Sequence, residues 1–308
     1  MTTLDTTPVA PASRAPSGSG TRSRHRGAGV PTVASPRRST GRLLSSLVLV
    51  LVAVSFVVPL AWILLSSVDP AATVSVGVPS SITADNFKAV LTKDQTFLPL
   101  WNSLVISLGT ALITVVVGVL AAYPLSRYRM RFQRGFLYTI LFATCLPITA
   151  IMVPVYSLFV KLSLLGSTPG VILFLAASSL PMAIWMLKNF MDSVPVSLEE
   201  AAWVDGASSM RALGRIVLPL MRPGLAVVLM LVFTQAWGNF FVPFILTTSA
   251  EKQPAAVAIY QFFGTYGSIA YGKLAAFSIL YSVPVLVLYL LTQRLSGGAN
   301  ALAGGMKG

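Results

Sequence analysis

The chain has 308 residues, of which 55% are hydrophobic and only 10% charged, and its mean hydropathy is +0.78. Soluble domains carry about 25% charged residues, so this deficit points to a lipid bilayer. The 22 Lys and Arg against 9 Asp and Glu give a net charge of +13. They flank apolar runs without forming a basic face or interleaving with aromatics, which disfavours nucleic acid as a partner. One cysteine, Cys145, and one histidine, His25, leave no material for a disulfide framework, a Cys/His metal cluster or a nucleophile–base pair. Enzymatic chemistry, a metal and a cofactor are therefore not expected.

Residues 1–41 are Thr, Ser, Pro, Gly, Ala and Arg with almost no large apolar side chains, the composition of a disordered basic tail. The 26-residue run that follows is too long for the apolar core of a cleaved signal peptide. Six charge-free runs come in order: 43–68, 95–126, 135–160, 162–187, 223–250 and 274–293. Each has the roughly 20 residues a helix needs to cross the hydrocarbon core. They predict an all-α membrane protein with six transmembrane helices, at about 43–68, 100–125, 135–160, 167–187, 223–247 and 274–293, forming one domain over 42–294. A cytoplasmic loop of 188–222 and a C-terminal tail of 295–308 complete the chain. A seventh charge-free run, 253–272, holds Pro254, Gln253, Gln261, three glycines and three tyrosines. It reads as an external loop with a short interfacial or re-entrant helix.

Placing the N-terminus inside puts 17 of the 22 basic residues in inside segments and leaves 5 outside, so both termini are expected in the cytoplasm of a cell with the chain in its inner membrane. No Asp, Glu, Lys, Arg or His falls within the six runs, and no GxxxxGK[ST] string occurs. Ion-coupled carriers place ionisable groups at mid-membrane, and P-loop enzymes need that string. The energy source is expected on another chain. Within the spans, Ser103, Ser107 and Ala111 at i, i+4, i+8 suit close helix packing, with the lining of a path as the alternative. Gln235, Trp237 and Asn239 in the stretch Thr234–Phe244 suit either a path for a neutral polyhydroxylated solute or hydrogen bonds between helices.

The segment EEAAWVDGASSMRALGRIVLP, residues 199–219, is the polar exception between two apolar runs. Ser197 and Glu200 have the S-x-x-E spacing of a capping box that would start a helix at Leu198. Gly206 would end that helix in a left-handed turn. A second short helix would carry Arg211 and Arg215 on one face, with Pro219 and Pro223 opening the next span. Two short helices set at an angle on the inner face suggest a docking element.

The spacing Glu200-Ala201-Ala202, Gly206, Ile216, Leu218-Pro219 resembles the EAA loop of ABC-importer permeases. Asp205-Gly206-Ala207 and the arginine-rich AAYPLSRYRMRF resemble the carbohydrate-uptake, maltose-type branch of that family. The C-terminal GGMKG is similar to the tail of its smaller permease subunit. The resemblance covers residues 43–308 and implies the type I ABC-importer permease fold. It also implies a second permease in a heterodimer, cytoplasmic ATP-binding subunits and an extracytoplasmic solute-binding protein facing residues 251–272. The ATPase-coupling residues would be Glu199, Glu200, Ala201, Ala202, Asp205 and Gly206, with Glu200 in direct contact. The tail, through Gly304, Gly305, Lys307 and Gly308, would reach the ATPase. The family often carries Trp-Asn-acidic-aromatic in helix five, where this chain has Trp237-Gly238-Asn239-Phe240. Sugar or oligosaccharide import is the expected function. A permease for glycerol phosphate, an amino acid or a peptide, or a secondary carrier, remains open from the sequence.

Overall fold

The computed structural model describes residues 37–75, 77, 79, 81–264 and 269–295. Most of the expected N-terminal tail and all of GGMKG, including Gly304, Gly305, Lys307 and Gly308, lie outside the described residues. By packing, the chain divides into residues 1–53 and 54–308. The described part of the first is the start of α1 (Arg37–Val68), whose side chains from Leu43 to Ala53 are exposed. An apolar helix without a protein core beneath it needs lipid or another chain as its solvent.

The described residues of the second unit are helical, apart from turns and a single isolated bridge between Phe263 and Ile269. Its centre is α3 (Leu98–Arg127) packed along α6 (Thr168–Asp192) and α10 (Arg222–Trp237). Ala111, Val119, Ala122, Ala183, Leu187, Met191, Val228, Val232 and Phe233 fill the space between these helices. Ser103, Ser107, Thr110, Ala111 and Thr114 are all buried along α3. Small side chains let the backbones approach, and the Ser103 hydroxyl accepts from the Ala255 amide at 2.8 Å. The expected small-residue spacing thus serves packing.

Two runs depart from the straight spans read off the sequence. Residues 135–160 form α4 (Gln133–Ala143) and α5 (Ile148–Lys161), set at 90°. Pro147 sits in extended backbone just before α5 and disfavours helix at Leu146, so the rod breaks there. The fifth run is interrupted at Gly238-Asn239, and a second helix, α11 (Phe241–Leu246), follows. The Asn239 side-chain oxygen accepts from the Val242 amide at 3.0 Å and caps the new start. Among the described residues four helices are each long and apolar enough to cross a membrane, or six if two bent pairs, Gln133–Ala143 with Ile148–Lys161 and Ser209–Leu220 with Arg222–Trp237 at 81°, each make one span. The last is α13 (Tyr271–Leu295).

At one end of the bundle, α2 (Asp85–Val90) and the short helix α12 (Ala255–Ala258) meet the start of α13. Val90, Ala255, Phe262, Ala276 and Phe277 make a small core there. The described part of run 253–272 is therefore folded against the bundle, with short helical pieces over Ala255–Ala258 and Ile259–Phe262. At the opposite end, α3 and α6 finish, α10 begins, and the polar segment lies between them.

Gly224 in the first turn of α10 sits against the Phe190 ring, where an added Cβ would be 2.4 Å from its Cγ. Gly214 has open space. Gly224→Ala should lower stability by about 1–3 kcal/mol through overpacking, whereas Gly214→Ala should be neutral or mildly stabilising. Thermal unfolding of the two variants in detergent checks the contrast.

Candidate functional site: the loop between α6 and α10

The segment between α6 and α10 folds as α7 (Ser197–Val204), α8 (Ser209–Ala212), a π turn over Leu213–Val217 and α9 (Leu218–Leu220). The capping box does not form. The helix begins at Ser197 itself, Val196 takes the cap position, and no side chain caps it. The Val196 carbonyl instead accepts from the Glu199 and Glu200 amides at 2.9 and 3.0 Å, just after Pro195. Proline restricts the backbone before the helix and supplies the start that the serine was expected to give.

The C-terminus of α7 follows the expectation. Gly206 has φ +82°, its amide donates to Trp203 O at 3.0 Å, and the Ala207 amide donates to Ala202 O at 2.9 Å. These two bonds close a Schellman turn that only glycine enters without strain. A Cβ on Gly206 would meet nothing within 4 Å, so the backbone conformation alone demands the glycine. Ser208 then caps α8, accepting from the Arg211 amide at 3.4 Å.

The two adjacent glutamates of α7 point opposite ways. Glu199 is 0% exposed, and its Oε1 accepts from Arg127 Nε at 2.5 Å. Its Oε2 accepts from the Tyr123 hydroxyl at 2.8 Å. Arg127 also donates through Nη1 to Ser126 Oγ at 3.0 Å and through Nη2 to Val194 O at 3.2 Å. Ser126 Oγ in turn donates to Asp192 at 2.6 Å, and Asp192 pairs with Lys188 one turn earlier on α6. Glu199 was grouped from the sequence with the residues that couple to a partner. Its carboxylate lies within the protein, and pairing with Arg127 is what makes that burial tolerable.

Glu200, Ala201, Asp205 and Gly206 are exposed, and Ala202 is half-buried beside Trp203. Neither Glu200 nor Asp205 makes an ion pair among the described residues. Val204 is 89% exposed, and Leu198 and Met210 are exposed as well. Apolar side chains standing beside unpaired carboxylates on this protrusion have the mixture expected of a docking surface. Sequence reasoning missed Arg127 and Tyr123. The signal available was that Arg127, the first of four clustered arginines, closes a long charge-free run one helical turn after Tyr123.

The path candidates are separated. Gln235 is exposed. Trp237 is 3% exposed and stacks between Phe233 and Tyr281, with centroids 5.5 and 5.3 Å away. Tyr281 donates to its backbone oxygen at 2.7 Å. The sequence left Trp237 between a path and hydrogen bonds between helices; its ring belongs to the core, stacked between two neighbours. Asn239 is half-buried and occupied in capping α11.

Residues 114–298 match the family described as binding-protein-dependent transport system inner membrane component. The chain belongs to this family. It is a multi-pass membrane transport component and not an enzyme. Among curated relatives, the trehalose transport system permease protein SugB of Mycobacterium tuberculosis is 34% identical over 239 residues, 77% of this chain and 87% of that protein. The galactooligosaccharides transport system permease protein GanQ of Bacillus subtilis is 31% identical over 277 residues, 88% of this chain and 98% of that protein. The diacetylchitobiose uptake permease DasC of Streptomyces coelicolor is 28% identical over 87% of this chain and 98% of its own length. A chain in the crystal structure of a bacterial ABC transporter for the acidic polysaccharide alginate superposes with a TM-score of 0.74. It is 21% identical and covers 84% of this chain and 98% of that one, so the two share the type I importer permease fold.

Forcing a β-branched residue into the backbone of Gly206 costs about 1–3 kcal/mol, and Asn tolerates it better. Gly206→Val should therefore cut solute uptake strongly while Gly206→Asn keeps most of it, as read by initial uptake rates at matched membrane levels of the protein.

Proposed function

We propose that this permease carries a sugar or oligosaccharide inward across the cytoplasmic membrane, powered by a separate ATPase that docks on the outward face of α7. The observation that carries the reading is the adjacent pair of glutamates, one anchored in the protein and the other unpaired at the surface beside exposed Leu198 and Val204. Relatives that transport trehalose, galactooligosaccharides and diacetylchitobiose support the solute class.

In this reading Glu200, Ala201, Asp205 and the turn at Gly206 form the docking face, with both termini in the cytoplasm. A second, related permease completes a heterodimer, and the cavity between the two alternates its access as they rock. A loaded solute-binding protein approaches the opposite end, where residues 251–264 fold against α3 and α13. Supporting this placement, the Asn102 side chain holds the backbone oxygens of Glu251 and Gln253 at 2.7 and 3.1 Å, a braced external surface. The tail Gly304–Gly308 adds a further contact to the ATPase. The permease itself breaks no bond. ATP and the binding protein each favour one state of a two-state element, and their coupling is the difference in those preferences. Gln235, exposed near the break in the fifth span, is the path candidate that keeps a free side chain face.

Glu200→Lys should insert and accumulate normally, because its side chain is exposed, yet lose ATP-driven uptake by about tenfold or more through charge reversal at a docking contact. Uptake of radiolabelled trehalose, maltose, glucose and diacetylchitobiose in a deletion strain, with and without the variant, checks both the solute class and the docking role.

A further inference from the structure

We propose that Arg127 is a positioning residue that locks α7 to the cytoplasmic ends of α3 and α6, so that displacement of the docking face moves those helices instead of being absorbed by the loop. The proposal rests on the docking role of α7 and adds the joint beneath it.

Three observations carry it. First, the joint is dry. The Arg127 and Glu199 side chains are 2% and 0% exposed, whereas the other ion pairs among the described residues, Lys88–Asp85 and Lys188–Asp192, keep at least one well-exposed member. Second, it is complete. Both carboxylate oxygens of Glu199 are engaged, and the three guanidinium nitrogens of Arg127 reach α7, the turn at Val194 and Ser126, which passes the connection to Asp192 on α6. A fully satisfied polar network in a low dielectric admits one arrangement, while an apolar contact of the same area can slide. Third, it is selective. Arg129, Arg131 and Arg134, which follow in the connection to α4 and its first turn, are exposed, and Arg127 alone among these four is drawn inward. Arginine suits the place because its rigid fork fixes direction as well as distance.

A buried ion pair could serve stability alone, and the test separates the two roles. The complete transporter, with its ATPase, partner permease and binding protein, is reconstituted in lipid vesicles. ATP hydrolysis and uptake are measured together, using whichever of radiolabelled trehalose, maltose, glucose or diacetylchitobiose the wild type takes up fastest. Glu199→Gln keeps the shape and removes the charge. It should lower uptake per ATP hydrolysed by about tenfold, with hydrolysis itself within about twofold of wild type. Tyr123→Phe, which removes one hydrogen bond, should lower the same ratio by about threefold. The double variant Arg127→Met with Glu199→Leu replaces the pair by apolar groups, a change that preserves stability in other buried pairs. It should assemble and hydrolyse ATP yet remain uncoupled. Normal uptake per ATP in the assembled double variant, or in assembled Tyr123→Phe should the double variant fail to assemble, overturns the joint. So does a parallel fall of uptake and hydrolysis. Failure of the underlying docking role would show differently, as wild-type uptake that persists without the ATPase.

Discussion

A carboxylate with no access to water is the constraint around which the α7 end of this protein is arranged. Leaving Glu199 charged and alone in a low dielectric would cost several kcal/mol, and removing one partner of such a pair costs about 3–5 kcal/mol. Arg127 and Tyr123 must therefore both arrive from α3 with their donors aimed at α7. That requirement fixes where α3 ends, since Arg127 is its last residue and Tyr128 already has extended backbone. It fixes the turn at Val194, whose carbonyl takes a guanidinium proton. Through Ser126 and Asp192 it also fixes the end of α6.

The middle of the bundle obeys a different rule. Water is absent from a bilayer core, so each backbone polar group needs an internal partner and the chain stays helical wherever lipid touches it. Irregular backbone occurs where other elements cover it. The break at Gly238-Asn239 is closed by the asparagine side chain, and Gly166 donates its amide to Leu246 O at 2.8 Å while Lys252 reaches the Gly166 carbonyl at 3.0 Å. Gly224 and Gly118 bring α10 and α3 against Phe190 and Leu187 of α6, so the three central helices meet closely.

Helical class, membrane residence and the presence of a polar helical segment between two apolar runs were legible because they depend on the length and spacing of apolar runs. Gly206 was legible because a positive φ has one cheap residue. The capping box was misread because Ser197 competes with Pro195, and a proline that presets the backbone leaves the serine one position too late. The bend between α4 and α5 was hidden because charge-free length says nothing of direction, although Pro147 marked the place. Trp237 stood between two readings because indole has both a polar and an apolar side, while one deciding partner, Tyr281, comes from α13 far along the chain. The division of labour between Glu199 and Glu200 had no local signature at all. It depends on which way α7 faces, and that is set by a residue more than 70 positions earlier.

That orientation makes the four-residue connection Ser193–Val196 a phase setter. An α-helix advances by about 100° per residue, so gaining or losing one residue there would rotate α7 by more than a quarter turn. Glu199 would swing out to solvent and a neighbour would take its place against the guanidinium. Chain length in this short link should hence be under tighter control than its chemistry, and divergence along the lineage should exchange its side chains freely before it ever changes their number.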